Sequence, residues 1–244
     1  MKFNYSVLGL LLACSAISVN AETVHLSSLD WAPYSGKSLE NQGASVVVAK
    51  AAFKAMGHEL VVDFFPWSRA VKLASEPGSK YAGYFPEYLY ESSEFTFSAP
   101  MGQGPLGLVE NKASPINWAE VGDLAKYKLG VVQDYVNTEE LDALIANETI
   151  KPQTVTSDEI NVQKVAGGRI DAAVIDSNVL SYMLANNTKL SSVKDKVQMN
   201  TKLLMNKDLY IAFRNDADGK KWQAIYNEGL GKIDINSLMS AHLK

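Results

Sequence analysis

The sequence has little cysteine, little histidine and no excess of positive charge, and each shortage excludes a class of protein. Its one cysteine is Cys14, so no disulfide framework holds the chain, and its three histidines form no metal-ligand cluster. Lysine and arginine number 23 against 27 aspartate and glutamate, a net charge of −4. A chain with this balance has no basic surplus to attract nucleic acid or an anionic membrane surface.

The remaining composition is that of a folded protein. Hydrophobic residues make up 47% and charged residues 20% of the chain, with 16 glycines and 8 prolines, which excludes disordered and collagen-like classes. The length of 244 residues suits one large domain or two of about 100 to 120 residues. Either arrangement can bury a sizeable core.

The first 21 residues have the pattern of a secretory signal peptide. Lys2 precedes the apolar run Val7–Ala13, and Val19 and Ala21 are small residues where signal peptidase accepts them. The apolar run is shorter than the roughly 20 residues of a membrane span. We therefore expect cleavage after Ala21 and an exported, periplasmic protein without cysteine.

Cys14 allows lipoprotein processing as an alternative to cleavage after Ala21. The segment Leu11–Cys14 loosely resembles a lipobox, in which the cysteine is acylated and becomes the first residue. Mass spectrometry of the N-terminus distinguishes the two kinds of processing.

Strands and helices alternate along the first third of the chain. Gly57 stands where a helix C-terminal glycine belongs, and Pro77-Gly78 ends the next helix. The order strand, helix, strand, helix predicts a parallel sheet covered by helices. The predicted elements are Thr23–Ser28, Ala44–Met56, Glu59–Phe65 and Ser68–Ser75.

A second α/β unit follows in the middle of the chain. Asn137 and Glu140 have the spacing of a capping box for a helix through Ala146. The other predicted elements are the strands Lys128–Val132, Thr154–Val155 and Ile170–Ile175 and the helices Ser157–Ala166 and Ser177–Ala185.

The last part of the chain predicts one more strand, Asp208–Phe213, and a helix over Gly219–Lys232. Two stretches, Gly102–Pro105 and Asn200–Asp208, have the composition of crossings between two lobes.

Five groups of residues, in this order and spacing, resemble the family 3 bacterial solute-binding proteins, the periplasmic receptors of amino-acid-type ABC importers. The groups are Trp31–Tyr34, Pro66–Ala70, Phe97–Pro100, Leu129–Val132 and Gly168–Asp176. The resemblance implies an α/β fold of two Rossmann-like lobes joined by a two-strand hinge, the periplasmic binding protein-like II fold. It places lobe 1 at 22–108 and 206–244 and lobe 2 at 109–205.

The same resemblance implies a monomer that closes its two lobes on a small-molecule ligand and presents it to a membrane permease. Ligands of open α/β sheets lie at the carboxyl ends of strands, where loops and helix N-termini supply donors. No cofactor or metal is expected.

Two aromatic residues, Trp31 and Tyr34, flank a proline in the first of these loops. At the matching family position they form an aromatic wall of the cleft, a common device in small-molecule sites. The alternative is that they cap the core of lobe 1. Tyr135 and Thr138, where a later strand runs into a helix, are further expected cleft residues.

Arg69 and Asp176 are the charged candidates. A cation in the first turn of a helix opposes the helix dipole, so Arg69 needs an anionic partner, either a ligand carboxylate or an acidic residue of its own lobe. Asp176 ends an apolar strand, and the matching family position receives a ligand amino group. Asp171 is expected to be structural.

One position departs from the amino-acid-binding pattern. Amino-acid-binding members have an arginine six residues before the phenylalanine of the Phe-Ser-x-Pro motif, which clamps the ligand carboxylate, but here Glu91 takes that place. No arginine lies between Arg69 and Arg169. The stretch provides acidic and aromatic residues instead: Tyr84, Phe85, Glu87, Tyr88, Tyr90 and Glu91.

We therefore predict an amine-bearing or cationic ligand, with Tyr84, Phe85 and Glu87 among the ligand-binding residues. The alternative is a tyrosine-rich surface loop with a solvated Glu91.

Two other functions stay open. A ligand-sensing module for a separate signalling partner has the same sequence features as a transport receptor. An enzyme on this fold is expected less, because the chain has no nucleophile motif, no phosphate loop and no histidine at a predicted cleft position.

Overall fold

The computed structural model describes residues 21–243. The expected leader peptide and Cys14 therefore lie outside the described residues, apart from Ala21. Among the helices of the described part, none combines the length and the hydrophobicity that a bilayer span needs.

Within residues 21–243 there are ten strands and seven α-helices, and strands alternate with helices in the two parallel parts of the sheet, as the sequence predicts. The strands are β1 Thr23–Ser28, β2 Glu59–Phe64, β3 Tyr81–Glu87, β4 Phe95–Phe97, β5 Gly102–Asn111, β6 Leu129–Val132, β7 Gln153–Val155, β8 Ala172–Asp176, β9 Val197–Met199 and β10 Met205–Arg214. The helices are α1 Ala44–Ala55, α2 Trp67–Ser75, α3 Glu139–Ala146, α4 Asp158–Ala166, α5 Ser177–Asn186, α6 Ala217–Leu230 and α7 Ile235–His242.

Two helix ends show how local chemistry sets these bounds. Gly57 follows α1 with φ +81°, the left-handed conformation that ends helices at glycine. At the start of α3 the predicted capping box is wrong by one residue: the Thr138 side chain accepts a hydrogen bond from the Leu141 amide. Asn137 instead pairs with Asp142, because its side-chain amide reaches that carboxylate at 2.7 Å.

The strands form one continuous sheet in the order β2-β1-β3-β10-β5-β8-β6-β7, with β4 added to β10 and β9 added to β5. β1 pairs in parallel with β2 and β3, and β6 pairs in parallel with β7 and β8. Two parallel groups, each with its own helices, define a two-lobe α/β fold. We call the part built on β1–β4, α1, α2, α6 and α7 the first lobe and the part built on β6–β9 and α3–α5 the second lobe.

The long strands β5 and β10 connect the two lobes. The first half of β10 pairs with Gly102–Leu106 of β5, and its second half pairs with β3 and β4 of the first lobe. Beyond its pairing with β10, β5 pairs with β8 and β9. Both crossings therefore run through one antiparallel pair of strands, at the two stretches that the sequence marks.

Each lobe contributes buried apolar residues to one core cluster. In the first lobe Phe53 of α1 packs against Trp222 and Tyr226 of α6, with ring centroids 6.0 and 5.2 Å apart. In the second lobe Leu129 and Leu141 are almost completely buried. This apolar packing holds the strand ends of each lobe in fixed positions. The strand ends of the two lobes face each other across a cleft.

Candidate functional site

Two spaces lie between the lobes. The inner cavity, about 20 Å³ in volume, is lined by residues of both lobes, among them Glu87, Tyr88 and Val136. The outer groove, about 930 Å³, runs between the segment that follows β1 and the N-terminal end of α4. Trp31, Trp67 and Tyr135 line both spaces, and we call these three residues the aromatic partition.

The turn after β1 carries the first contact across the cleft. Backbone hydrogen bonds between Trp31 and Ser35 close this turn, and the Trp31 ring stacks on Tyr34 with centroids 4.7 Å apart. The Tyr34 hydroxyl, fully buried, lies 3.2 and 3.3 Å from the two carboxylate oxygens of Asp176. It also accepts a hydrogen bond of 2.8 Å from the Asn178 side chain. Tyr34 of the first lobe is thus hydrogen-bonded directly to Asp176 and Asn178 at the start of α5 in the second lobe.

A second contact joins α2 to the loop after β6. The Trp67 indole donates to the backbone oxygen of Asp134 at 3.0 Å, and the Ser68 hydroxyl donates to the Asp134 carboxylate at 2.5 Å. The Trp67 ring meets Tyr135 edge to face at 5.9 Å. The aromatic partition is therefore held by hydrogen bonds as well as by ring packing.

Glu87, the last residue of β3, is 5% exposed and faces the inner cavity. Its carboxylate accepts hydrogen bonds from the Tyr88 amide at 2.7 Å and from the Tyr84 hydroxyl at 3.1 Å. Burial raises the pKa of Glu87 to about 8, and these two donors oppose the rise. A buried carboxylate with neutral donors alone favours a cationic neighbour.

Asp158 and Asp176 bring two more buried carboxylates to the same region. Asp176 caps α5, since one of its oxygens accepts from the amides of Asn178 and Val179 at 2.7 and 3.1 Å. Burial raises its pKa to about 6. Asp158, at the first position of α4, lines the outer groove, and burial together with the charge of Asp176 raises its pKa to about 7.

Lys207, on β10, is the one cation found to act on Glu87 in the described part of the chain. Its ammonium group lies 4.9 Å from the centre of the Tyr88 ring, a cation–π arrangement. Burial lowers its pKa, whereas the charges of Asp142 and Glu87 raise it. It forms none of the salt bridges within 4.0 Å that the described residues make. Acidic side chains therefore outnumber basic ones in the region between the lobes.

Five of the predicted binding residues meet at the cleft. Trp31, Glu87 and Tyr135 line the inner cavity, and Tyr34 and Asp176 form the direct contact between the lobes. Their contacts with a ligand stay a prediction.

The other four predicted residues lie away from the two spaces. Tyr84 and Phe85 are fully buried in the first lobe, and Thr138 caps α3. Arg69 is exposed, and its guanidinium group lies 5.2 Å from the centre of the Phe65 ring. No ion pair among the described residues includes Arg69, so its predicted partner within the lobe is not found and the cation–π contact takes its place.

Three residues of the site were not predicted: Trp67, Tyr88 and Asp158. Trp67 and Tyr88 stand in segments that the sequence marks, but the side-chain directions that bring them to the cleft follow from the fold. Asp158 is the first residue of a helix that follows a short strand, one position beyond the helix cap, whereas Asp176 is itself the cap of its helix, so both lie where a strand leads into a helix. That repeated position is the signal that could have identified it.

Among residues 21–243, no group of three or more histidine, cysteine, aspartate or glutamate side chains is placed to hold a metal ion. Comparison with sequence profiles of protein families gives no match, and comparison with curated protein sequences gives none either.

Solved structures resemble the chain over most of its length. A histidine kinase sensor domain, described as similar to periplasmic binding proteins, matches with a TM-score of 0.75 at 16% identity, over 90% of this chain and 95% of that one. An amino-acid ABC transporter substrate-binding protein from Streptococcus pneumoniae, bound to L-arginine, matches with a TM-score of 0.71 at 15% identity, over 91% and 94%.

An ancestral amino-acid-binding protein, described as a precursor of cyclohexadienyl dehydratase, matches with a TM-score of 0.69 at 20% identity, over 91% and 95%. At these identities the likeness shows the fold. The chain has the type 2 periplasmic binding fold, as the sequence resemblance to family 3 solute-binding proteins implies.

Proposed function

We propose that this chain is a periplasmic binding protein whose two lobes close on a small amine-bearing or cationic ligand, which it delivers to an ABC importer. The observation that carries the proposal is the charge of the cleft. Three buried carboxylates, Glu87, Asp158 and Asp176, lie between or beside the lobes. Lys207 acts on Glu87, and Lys189, which lines the outer groove, is paired with Glu159. Burial favours the protonated form of each carboxyl group, and a bound cation would favour the ionised form.

The positions of the arginines support the same ligand class. The chain has three, and none lines either space of the cleft. Arg214 donates to the backbone oxygens of Ala74 and Tyr81, and Arg69 and Arg169 are exposed. No arginine that lines the two spaces is therefore available to bind a ligand carboxylate through two parallel hydrogen bonds.

We propose that the functional unit is a monomer. Its first lobe comprises residues 22–108 and 206–244, and its second lobe comprises residues 109–205. The ligand-binding residues would then be Trp31, Glu87, Tyr88, Tyr135 and Asp158. Among the structural relatives, the S. pneumoniae protein is bound to L-arginine, an amino acid with a cationic side chain.

A thermal-shift screen tests the ligand class. The protein is heated with putrescine, spermidine, arginine and lysine in one set and with succinate, malate and glutarate in the other. A ligand that binds the folded state alone raises the melting temperature. We expect a rise with members of the cationic set only. A rise confined to the dicarboxylates would overturn the proposal.

Sensing is the second candidate function, favoured by the likeness to a histidine kinase sensor domain. Both functions use the same cleft, so the partner distinguishes them. Cross-linking of the ligand-loaded protein in intact cells, followed by mass spectrometry, should capture an importer permease. Capture of a sensor kinase instead would establish the sensing role.

We propose binding without catalysis. The carboxylates of the cleft accept hydrogen bonds from neighbouring amides and hydroxyl groups, which is consistent with holding a cation. A ligand found in the screen should be recovered chemically unchanged after long incubation with the protein, as measured by mass spectrometry. Its conversion to a product would show an enzyme.

A further inference from the structure

The two spaces of the cleft differ in size and share part of their lining. The inner cavity of about 20 Å³ has room for one group the size of a water molecule or an ammonium group. The outer groove of about 930 Å³ is far larger. Since the aromatic partition lines both, a ligand with one end in the inner cavity and its chain in the groove would pass along these rings.

The inner cavity has an acid and an unsatisfied hydroxyl group. Glu87 lines it, and so does Tyr88, which is 6% exposed. The hydroxyl of Tyr88 is buried without a hydrogen-bond partner among the described residues. Buried polar groups are rarely left unpaired, so this hydroxyl indicates a missing donor or acceptor. Together with the Glu87 carboxylate, on which Lys207 already acts, it suits the end of a primary amine.

The outer groove has a buried acid of its own, whose side-chain hydrogen-bond partner is Trp31. Asp158 is 7% exposed and lines the groove, and no ion pair among the described residues includes it. The neighbouring Glu159 is paired with Lys189 at 3.2 Å and is in addition bonded by Asn187 at 2.8 Å. Asp158 is therefore the buried carboxylate that a cation in the groove would neutralise.

We infer that the cleft binds a linear diamine or longer polyamine, with one ammonium group at Glu87 and Tyr88 and a second at Asp158. This inference rests on the proposed function and narrows its ligand class. The methylene chain between the two ammonium groups lies against the aromatic partition, whose ring faces attract the cations and whose edges pack on the methylenes. A ligand with one ammonium group would leave one of the two carboxylates unneutralised.

Calorimetric titration with matched amines tests the inference. Putrescine is compared with butylamine and cadaverine with pentylamine, since each pair has the same carbon chain and differs by one ammonium group. We expect each diamine to bind about tenfold tighter than its monoamine or better, the scale of one further charge-assisted contact. Spermidine should bind at least as tightly as putrescine.

Two neighbouring variants locate the second ammonium group. Asp158→Asn should weaken diamine binding by about tenfold and leave monoamine binding unchanged. Glu159→Gln, which removes an adjacent charge already paired with Lys189, should leave both unchanged. Circular dichroism and the melting temperature establish that each variant is folded before it is titrated.

The outcomes separate this inference from the function on which it rests. Equal affinities of diamine and monoamine, or an Asp158→Asn variant with unchanged or uniformly reduced affinities, would overturn the two-point assignment while a cation-binding cleft stands. Failure of every amine to bind the wild-type protein would overturn both.

Discussion

A methyl group added at Gly104 tests whether the direct contact between the lobes controls closure. Gly104 lies on β5, one of the two connecting strands, beneath the contact of Tyr34 with Asp176. A Cβ atom at this position would stand 2.0 Å from a carboxylate oxygen of Asp176 and 2.5 Å from the Tyr34 hydroxyl. Both distances are shorter than real Cβ contacts, so Gly104→Ala forces the two side chains apart.

The size of the effect follows from the bonds that are lost. Tyr34 and Asp176 are both buried, and a hydrogen bond to a buried charged group contributes on the order of 1–3 kcal/mol. Loss of this contact should shift the equilibrium between closed and open lobes by about tenfold to a hundredfold toward the open form. Because Gly104 does not have a positive φ, alanine causes no backbone strain of its own.

Small-angle X-ray scattering measures the shift as an increase in the radius of gyration of Gly104→Ala. Its matched control is Gly122→Ala, since a Cβ atom at Gly122 would have no neighbour within 4 Å. Circular dichroism establishes that both variants are folded. A Gly104→Ala protein with the radius of gyration of wild type would refute the reasoning, because the lobes would then close without this contact.

Two further perturbations act on the same region. Tyr34→Phe removes the hydroxyl that joins Asp176 and Asn178, and it should lower the free energy of unfolding by about 1–3 kcal/mol in urea titrations; an unchanged value would mean that the contact is energetically neutral. Burial holds the pKa values of Glu87, Asp158 and Asp176 at about 8, 7 and 6, above their ordinary values, so the folded protein binds protons that the unfolded chain has released. The free energy of unfolding should therefore fall as pH rises from 6 to 8, by on the order of 1 kcal/mol per pH unit for each titrating carboxyl group. In Glu87→Gln the fall should be shallower, and identical slopes for the variant and the wild type would contradict this assignment.

The sequence predicts the fold well because its signals are local. Turn residues such as Gly57 and Pro77, and apolar runs such as the one that ends at Asp176, mark where elements begin and end. The crossings at Gly102–Pro105 and Asn200–Asp208 are visible for the same reason, since their composition differs from that of the flanking elements.

The site is predicted only in part, because it depends on which side chains meet across the cleft. Asp176 is recognisable as the end of a strand, but its bond to Tyr34 joins residues 142 positions apart. Thr138, at a strand-to-helix junction, is a helix cap, and its contact with a ligand stays a prediction. Asp158 was not predicted because an acidic residue in a first helical turn is ordinary on its own, and its burial is visible only in the folded structure.

Hydrogen exchange with and without a bound amine tests most directly whether the ligand lies between the lobes. The protein is exchanged alone and with a saturating amount of the amine that gives the largest thermal shift, and peptides are analysed by mass spectrometry. The account predicts slower exchange in both lobes, at the segment from Tyr84 to Tyr90 in the first and at the start of α4 around Asp158 in the second. Protection confined to one lobe, or protection away from these segments, would contradict a ligand held in the cleft.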